Sequence, residues 1–224
     1  MKSERTRAVV LRRTNYGEAD RIVQFLTPIG RRSVIARGVR REKSKLAGGI
    51  ELFAVSDIVI GQGKGDLGVL TGARLVHFYR HIIEDYDRMQ FGYEALKLVS
   101  RASEMVDEPE WFEVISQVIA ALDVASIDIR LIQTWFYIRY AELLGHGLGL
   151  QYDVDGALLL ADMQYRYDVG EKGLRQATGG EITAQHITLL RLIATKPLER
   201  LVQIGGTQDV IADCLPVARQ HAAI

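Results

Sequence analysis

The stretch Arg31-Arg32-Ser33-Val34-Ile35-Ala36-Arg37-Gly38-Val39-Arg40-Arg41-Glu42-Lys43-Ser44-Lys45 joins a strand-like run to a strongly basic segment, with seven Lys/Arg and one acid. Residues 33–36 are partly β-branched and predict a short strand, and residues 40–49 predict a loop. A basic strand that leads into a basic loop suits a polyanion, because each phosphate contact releases counterions. The alternative for such a charge run is an ordinary solvated face.

The composition is typical of a globular protein, with 224 residues, of which 48% are hydrophobic and 25% charged. No segment approaches the ~20 consecutive apolar residues of a membrane span, and the first residues contain no signal-peptide apolar region. The single cysteine, Cys214, excludes an internal disulfide and a zinc site built from several thiolates. These features predict a cytoplasmic protein without a membrane partner.

The net charge is zero, but the two parts of the chain carry opposite charges. Residues 1–80 contain 16 Lys/Arg and 7 Asp/Glu, a balance of +9, and residues 81–224 have a balance of −9. This asymmetry predicts two units with different partners, of which the first attracts an anion.

The first part, residues 1–80, shows the pattern of an all-β unit. Short apolar runs are separated by glycine- and proline-containing turns. Five strands are predicted, at residues 7–13, 22–26, 33–36, 50–60 and 68–79. Five short strands in this length predict a small barrel of the OB-fold type, which is known for binding oligonucleotides.

The second part, residues 81–224, has helical periodicity, so the predicted fold class is α+β. Its predicted helices cover about 89–106, 110–122, 127–144, 181–194 and 207–221. Residues 146–180 are an irregular insertion, in which 157–160 and 165–169 could be strands. Thr207 is predicted to cap the last helix, and Pro216 to kink or shorten it.

The sequence gives only weak indications of a cofactor, metal or catalytic site. The GxGxxG match at residues 63–68 lies between two predicted strands, so it predicts a hairpin loop rather than a dinucleotide site. His77 and His81 lack a third ligand nearby, and Cys214 lies on an apolar helical stripe typical of an inert thiol. A two-metal nuclease would use a convergent set of acids, for which the candidates are Glu84, Asp85, Asp87, Asp153 and Asp155.

Aromatic residues offer a second way to recognise nucleic acid, because outward-facing rings of an OB barrel stack on unpaired bases. Phe25, Phe53, Phe78 and Tyr79 fall on predicted strands, where an inward, core position is the alternative. Tyr16, in a predicted turn, is the better candidate for an exposed ring.

Several segments resemble the RecO family of recombination mediator proteins, namely residues 8–23, 36–46, 52–53 and 70–75, and in the helical part residues 85–93 and 142–145. The resemblance implies an N-terminal OB domain and a C-terminal helical domain. It also implies that the protein binds single- and double-stranded DNA, anneals complementary strands, and acts with RecR to replace single-stranded DNA-binding protein by the RecA recombinase. The helical domain would bind the C-terminal tail of the single-stranded DNA-binding protein.

The sequence departs from this family in the insertion. Many members carry a four-cysteine zinc site there, whereas residues 149–180 contain no cysteine. We therefore predict no zinc and no other cofactor, with a small degenerate hairpin near residues 165–173 held by packing.

The resulting hypothesis is a non-enzymatic, nucleoid-associated DNA-binding mediator with domains at 1–80 and 81–224. Its predicted phosphate-facing residues are Arg31, Arg32, Arg37, Arg40, Arg41, Lys43, Lys45, Lys64 and Arg74. Arg130 and Arg139 are candidates for the acidic partner tail, and an intramolecular salt bridge is the alternative role for both. The remaining alternatives for the whole protein are an RNA-binding OB module and a metal-dependent nuclease.

Overall fold

The computed structural model describes residues 3–65 and 67–223, with the side chain of Lys64 outside the described part. The chain forms two compact units, Met1–Asp123 and Val124–Ile224. The first unit extends beyond residue 80, where the predicted OB domain ends, because two helices pack on the barrel. Whether residues 1–80 form a nucleic-acid-binding domain without those helices stays a prediction.

The first unit is built on a closed five-stranded barrel with the strand order β1-β2-β3-β5-β4, which confirms the predicted OB-fold. The strands pair antiparallel around the barrel, except that β3 and β5 are parallel through Val34–Gly68 and Ile35–Val69. The strands are β1 (Glu4–Tyr16), β2 (Asp20–Thr27), β3 (Gly30–Ala36), β4 (Ala54–Lys64) and β5 (Leu67–Phe78).

The barrel interior is filled by alternate residues of the strands, as the period of a strand requires. Val10, Phe25 and Val34 are among its fully buried side chains. Phe25 is therefore a core residue, and so is Phe53, which precedes β4 and has a positive φ of 55°. Neither ring is available for base stacking.

A 3-10 helix, Ala47–Ile50, contacts β4 and β5 and helps to fill the barrel. The fourth strand begins at Ala54 and not at the predicted residue 50, because Ile50 is a fully buried core residue of this short helix. Gly49 is required at the contact, since a Cβ there would lie 2.5 Å from the Cβ of Ala73.

Two helices, α1 (Tyr86–Met105) and α2 (Glu110–Leu122), pack on β1. Val9 and Leu11 of β1 point away from the barrel interior and are nevertheless buried, which explains why residues 8–11 form a continuous apolar run. Trp111 of α2 is fully buried, and its indole Nε1 donates to the carbonyl of Val106 at 2.9 Å. The apolar stripe predicted for α2 is confirmed.

The second unit is helical with one hairpin. Its elements are α3 (Ile129–Leu143), β6 (Tyr165–Asp168), β7 (Gly173–Gln176), α4 (Ala184–Thr195), α5 (Leu198–Leu201) and α6 (Gln208–Ala222). Two predictions were wrong. Residues 157–160 form no strand, because β6 pairs with β7 and Leu158 makes only an isolated bridge to Tyr152. Pro216 does not shorten α6, which continues to Ala222, and a kink at Pro216 stays a prediction. Thr207 is the N-cap residue of α6, as predicted, but its side chain makes no capping hydrogen bond.

The hairpin is held by ion pairs and buried side chains. Arg175 of β7 bonds Asp168 through Nε at 2.8 Å and Asp155 through Nη1 at 2.8 Å. The hydrogen bond from Arg175 to Asp168, with a second from the backbone N–H of Glu171, holds the pKa of Asp168 below its ordinary value. Leu174 is fully buried, and the hydroxyl of Tyr167 lies 2.9 Å from Nδ1 of His221 on α6.

The stability of the second unit is expected to fall when the pH is lowered from 7 to 5. His221 is 2% exposed and its Nε2 donates to the carbonyl of His146 at 2.7 Å. Burial lowers the pKa of His221 below its ordinary value of 6.5. The unfolded chain therefore binds a proton first, so the stabilisation is complete above pH 6.5 and is lost as the pH falls towards the folded pKa.

Urea denaturation at several pH values measures this effect. His221→Gln removes the titrating ring, and its stability should change less between pH 7 and pH 5 than that of the parent chain. Equal pH dependence of the two chains would contradict the assignment to His221.

Candidate nucleic-acid interface

The basic loop that follows β3 is fixed against the β1–β2 hairpin. The backbone N–H of Gly38 donates to Oδ1 of Asp20 at 2.7 Å, and that of Arg40 donates to the carbonyl of Ala19 at 2.9 Å. The Gly38 φ of +62° lies in the left-handed region, which suits glycine. The loop and the hairpin thus form one end of the barrel.

Five of the predicted phosphate-facing cations lie together on this loop and are exposed to solvent. They are Arg37, Arg40, Arg41, Lys43 and Lys45. Within residues 3–65 and 67–223, none of the five forms a salt bridge; Arg40 uses Nη1 for a 3.3 Å hydrogen bond to the carbonyl of Gly17. Five cations on nine consecutive residues give this end of the barrel a concentrated positive charge.

Three other predicted cations lie on strands and are bound to carboxylates. Arg31 bonds Glu104 of α1 at 2.5 Å, and Arg32 bonds Glu4 at 3.1 Å. Arg74 of β5 bonds Asp57 at 2.5 Å. A nearby carboxylate therefore balances the charge of each of these three arginines, which distinguishes them from the loop cations. Lys64, the ninth predicted residue, has its side chain outside the described part of the chain.

The two candidates for the acidic partner tail are also ion-paired, within the second unit. Arg130 bonds Asp128, the residue before α3, at 2.6 Å. This hydrogen bond raises the pKa of Arg130 above its ordinary value. Arg139 forms an ion pair with Glu142 one turn along the same helix. Both therefore make the intramolecular salt bridge that is their alternative role.

A cleft of about 530 Å³ in the first unit was not predicted from the sequence. It lies between β1, Leu52 and α1, and it combines an apolar floor with basic side chains. Its lining consists of Leu11, Arg12, Arg13, Leu52, Tyr93, Leu96, Lys97, Ser100 and Arg101. The four-residue spacing of Tyr93, Lys97 and Arg101 was the available signal, since residues four apart share one face of a helix.

Known proteins are similar to this chain both in the barrel and in the residues that follow it. The family model described as "Recombination protein O N terminal" matches residues 1–79. DNA repair protein RecO of Dehalococcoides mccartyi (strain ATCC BAA-2266 / KCTC 15142 / 195) is 31% identical over 218 residues, which cover 93% of this chain and 85% of the relative. The chain belongs to the RecO family.

Two further RecO relatives show how the similarity is distributed. DNA repair protein RecO of Roseiflexus sp. (strain RS-1) is 36% identical over 129 residues, 57% of this chain and less than half, 45%, of the relative. DNA repair protein RecO of Halalkalibacterium halodurans is 25% identical over 224 residues, 95% of this chain and 86% of the relative.

The two histidines and the cysteine that were considered as site residues make intramolecular contacts in this RecO-family chain. His77 packs against Tyr79, and His81 bonds Asp123 at 3.3 Å. Burial and Asp213 raise the pKa of Cys214 to about 12, so its thiol is protonated at neutral pH. Across the described parts of the chain, no three His, Cys, Asp or Glu side chains are grouped to hold a metal. Over the same residues, every helix is too short or too polar to cross a membrane.

Proposed function

We propose that this chain is a DNA-binding repair and recombination protein that holds DNA through the loop after β3. The observation that carries the proposal is the group of five exposed cations, Arg37 to Lys45, without carboxylate partners among the described residues. Cations of this kind contact phosphates and release counterions, so binding should depend steeply on salt and little on sequence. Its RecO relatives are named DNA repair proteins, which supports the same reading.

Annealing of complementary strands follows from this mode of binding. Two DNA strands repel each other through their phosphates, and a shared basic surface lowers that repulsion while the base edges stay free to pair. The loop cations lie at the end of the barrel, where a strand can reach them without entering the core. We expect Arg31, Arg32 and Arg74 to contribute less, because a phosphate would have to replace Glu104, Glu4 or Asp57.

The proposed partners are single- and double-stranded DNA, RecR and the C-terminal tail of single-stranded DNA-binding protein. With them the chain would help load a recombinase onto single strands coated by that protein. The acidic tail would meet Arg130 and Arg139, where it must compete with Asp128 and Glu142 for the two guanidinium groups. Such competition favours a weak, salt-sensitive contact over a tight one.

Strand annealing is the experiment that tests the proposed function. The full chain is expected to accelerate pairing of two complementary labelled oligonucleotides, both naked and coated by single-stranded DNA-binding protein, and to leave them uncleaved with magnesium or manganese present. A matched RNA pair distinguishes an RNA-binding module, which would prefer the RNA strands. Failure to bind or anneal DNA, or cleavage of it, would refute the proposal.

A further inference from the structure

We propose that the cleft between β1 and α1 receives an unpaired nucleotide of a DNA single strand, with the base against Tyr93 and phosphates on Arg12, Lys97 and Arg101. The inference rests on the proposed DNA binding and adds a second, base-contacting site to it. None of the nine phosphate-facing residues predicted from the sequence lines this cleft.

The aromatic side of the cleft is a half-exposed ring that packs on a buried one. Tyr93 is 47% exposed although it lies on a helix that packs on the barrel. Its ring is supported by the buried Phe53, with ring centroids 4.9 Å apart and planes at 60°. Gly92 permits this approach, because a Cβ there would lie 2.7 Å from Cε1 of Phe53. A half-exposed ring that is fixed from behind is suited to stacking on a base.

The cations around this ring are available to an anion. Arg12, Lys97 and Arg101 are exposed and form no ion pair within the described residues. Lys97 and Arg101 lie one helical turn apart, about 6 Å along the axis, on the same face as Tyr93. Arg13, by contrast, is bonded to Glu51 at 2.9 Å and builds the wall of the cleft.

The size and position of the cleft favour nucleic acid. About 530 Å³ falls in the range of small-molecule sites, which admits a single nucleotide. A base in a duplex is already paired and stacked, so it is not available to stack on Tyr93. Six residues, which include the 3-10 helix Ala47–Ile50, separate Lys45 of the basic loop from Leu52 of the cleft. Arg13, which also lines the cleft, donates from Nη1 to the carbonyl of Ile50 in this segment at 3.2 Å. The proposal therefore makes the cleft a second contact for a single strand that is held by the loop.

The test measures affinity for a single strand and for a duplex of the same length, using the full chain. Tyr93→Ala is expected to weaken single-strand binding by between about five- and 150-fold, whereas Tyr93→Phe keeps the ring and the affinity. Lys97→Ala with Arg101→Ala should lower the single-strand salt slope by up to about 1.4. Duplex affinity should change by less than twofold in all of these variants. Lys196→Ala with Arg200→Ala, which removes two exposed cations of the second unit, controls for the loss of two positive charges.

The outcomes separate this site from the proposed function. Equal losses for the single strand and the duplex would overturn the nucleotide site, because general phosphate contacts would explain them. Unchanged single-strand affinity, with binding still lost when the loop cations are removed, would also overturn it and leave the proposed function intact. The nucleotide site would likewise be overturned, and the proposed function left intact, if the variants abolished binding only of a labelled acidic peptide, since the cleft would then be a peptide site. Tyr93→Ala that is selective for the single strand supports the proposal.

Discussion

Replacing Arg40, Arg41 and Lys43 together by alanine is expected to reduce the dependence of log affinity on log salt by up to about 2.7 for duplex DNA and about 2.1 for a single strand. Each of these residues is exposed and has no carboxylate partner among the described residues, so each can neutralise one phosphate. The affinity should fall most at low salt. The loss of the three cations should weaken binding by a similar factor for DNA of different sequences. Fluorescence anisotropy at several salt concentrations measures the slope.

A matched triple variant carries the control for total charge. Arg31, Arg32 and Arg74 are also three cations, but each is bound to a carboxylate of the first unit. Their replacement by alanine should change the slope by less than about one, because their charge is already balanced locally. If the loop variant and the parent chain had equal salt slopes, the loop would not contact phosphates. Equal effects of the two triple variants would show that only net charge matters.

Trp111→Ala is expected to lower the free energy of unfolding of the first unit by about 3–5 kcal/mol. The indole is fully buried between α2 and its neighbours, and its truncation also removes the hydrogen bond to the Val106 carbonyl. Since α2 packs on β1 and β2, the loss should appear in the barrel as well as in the helices. Urea denaturation of the full chain, followed by circular dichroism, measures the change.

Glu113→Ala provides the control in the same helix. Glu113 is exposed, and such surface replacements usually change stability by less than about 0.5 kcal/mol. A loss below about 1 kcal/mol for Trp111→Ala would contradict the tight packing of α2 on the barrel. It would instead support a barrel of residues 1–80 that folds without the helices.

The barrel was predictable because its strands contain apolar runs that are separated by glycine or proline turns. The start of β4 was not, because Ile50 and Phe53 are as apolar as strand residues, and only tertiary packing shows that they fill the barrel and support α1. Of the hairpin in the second unit, β6 was predictable and β7 was not. Tyr165 and Tyr167 alternate as in a strand, whereas β7 is short and polar and is fixed by Arg175.

The candidate site was predictable where its cations are close together in the sequence. It was not predictable where the role of a cation depends on an ion pair with a distant carboxylate. Five cations on one loop are visible in the sequence. The carboxylates that bind Arg31 and Arg74 lie 73 and 17 residues away, so no local pattern shows them. The cleft at Tyr93 joins β1, the segment before β4 and α1, and its composition emerges only when these elements meet.

The parallel contact between β3 and β5 makes the barrel unequal around its circumference. It joins two residue pairs, whereas β2 and β3 are joined by seven. Residues 30–33 of β3 thus have no strand partner on that side within the described chain. Parallel pairing is also slightly less stable per residue. When the barrel opens transiently, we expect the contact between β3 and β5 to separate first. This contact lies beside Arg31 and Arg32 and ends at the basic loop.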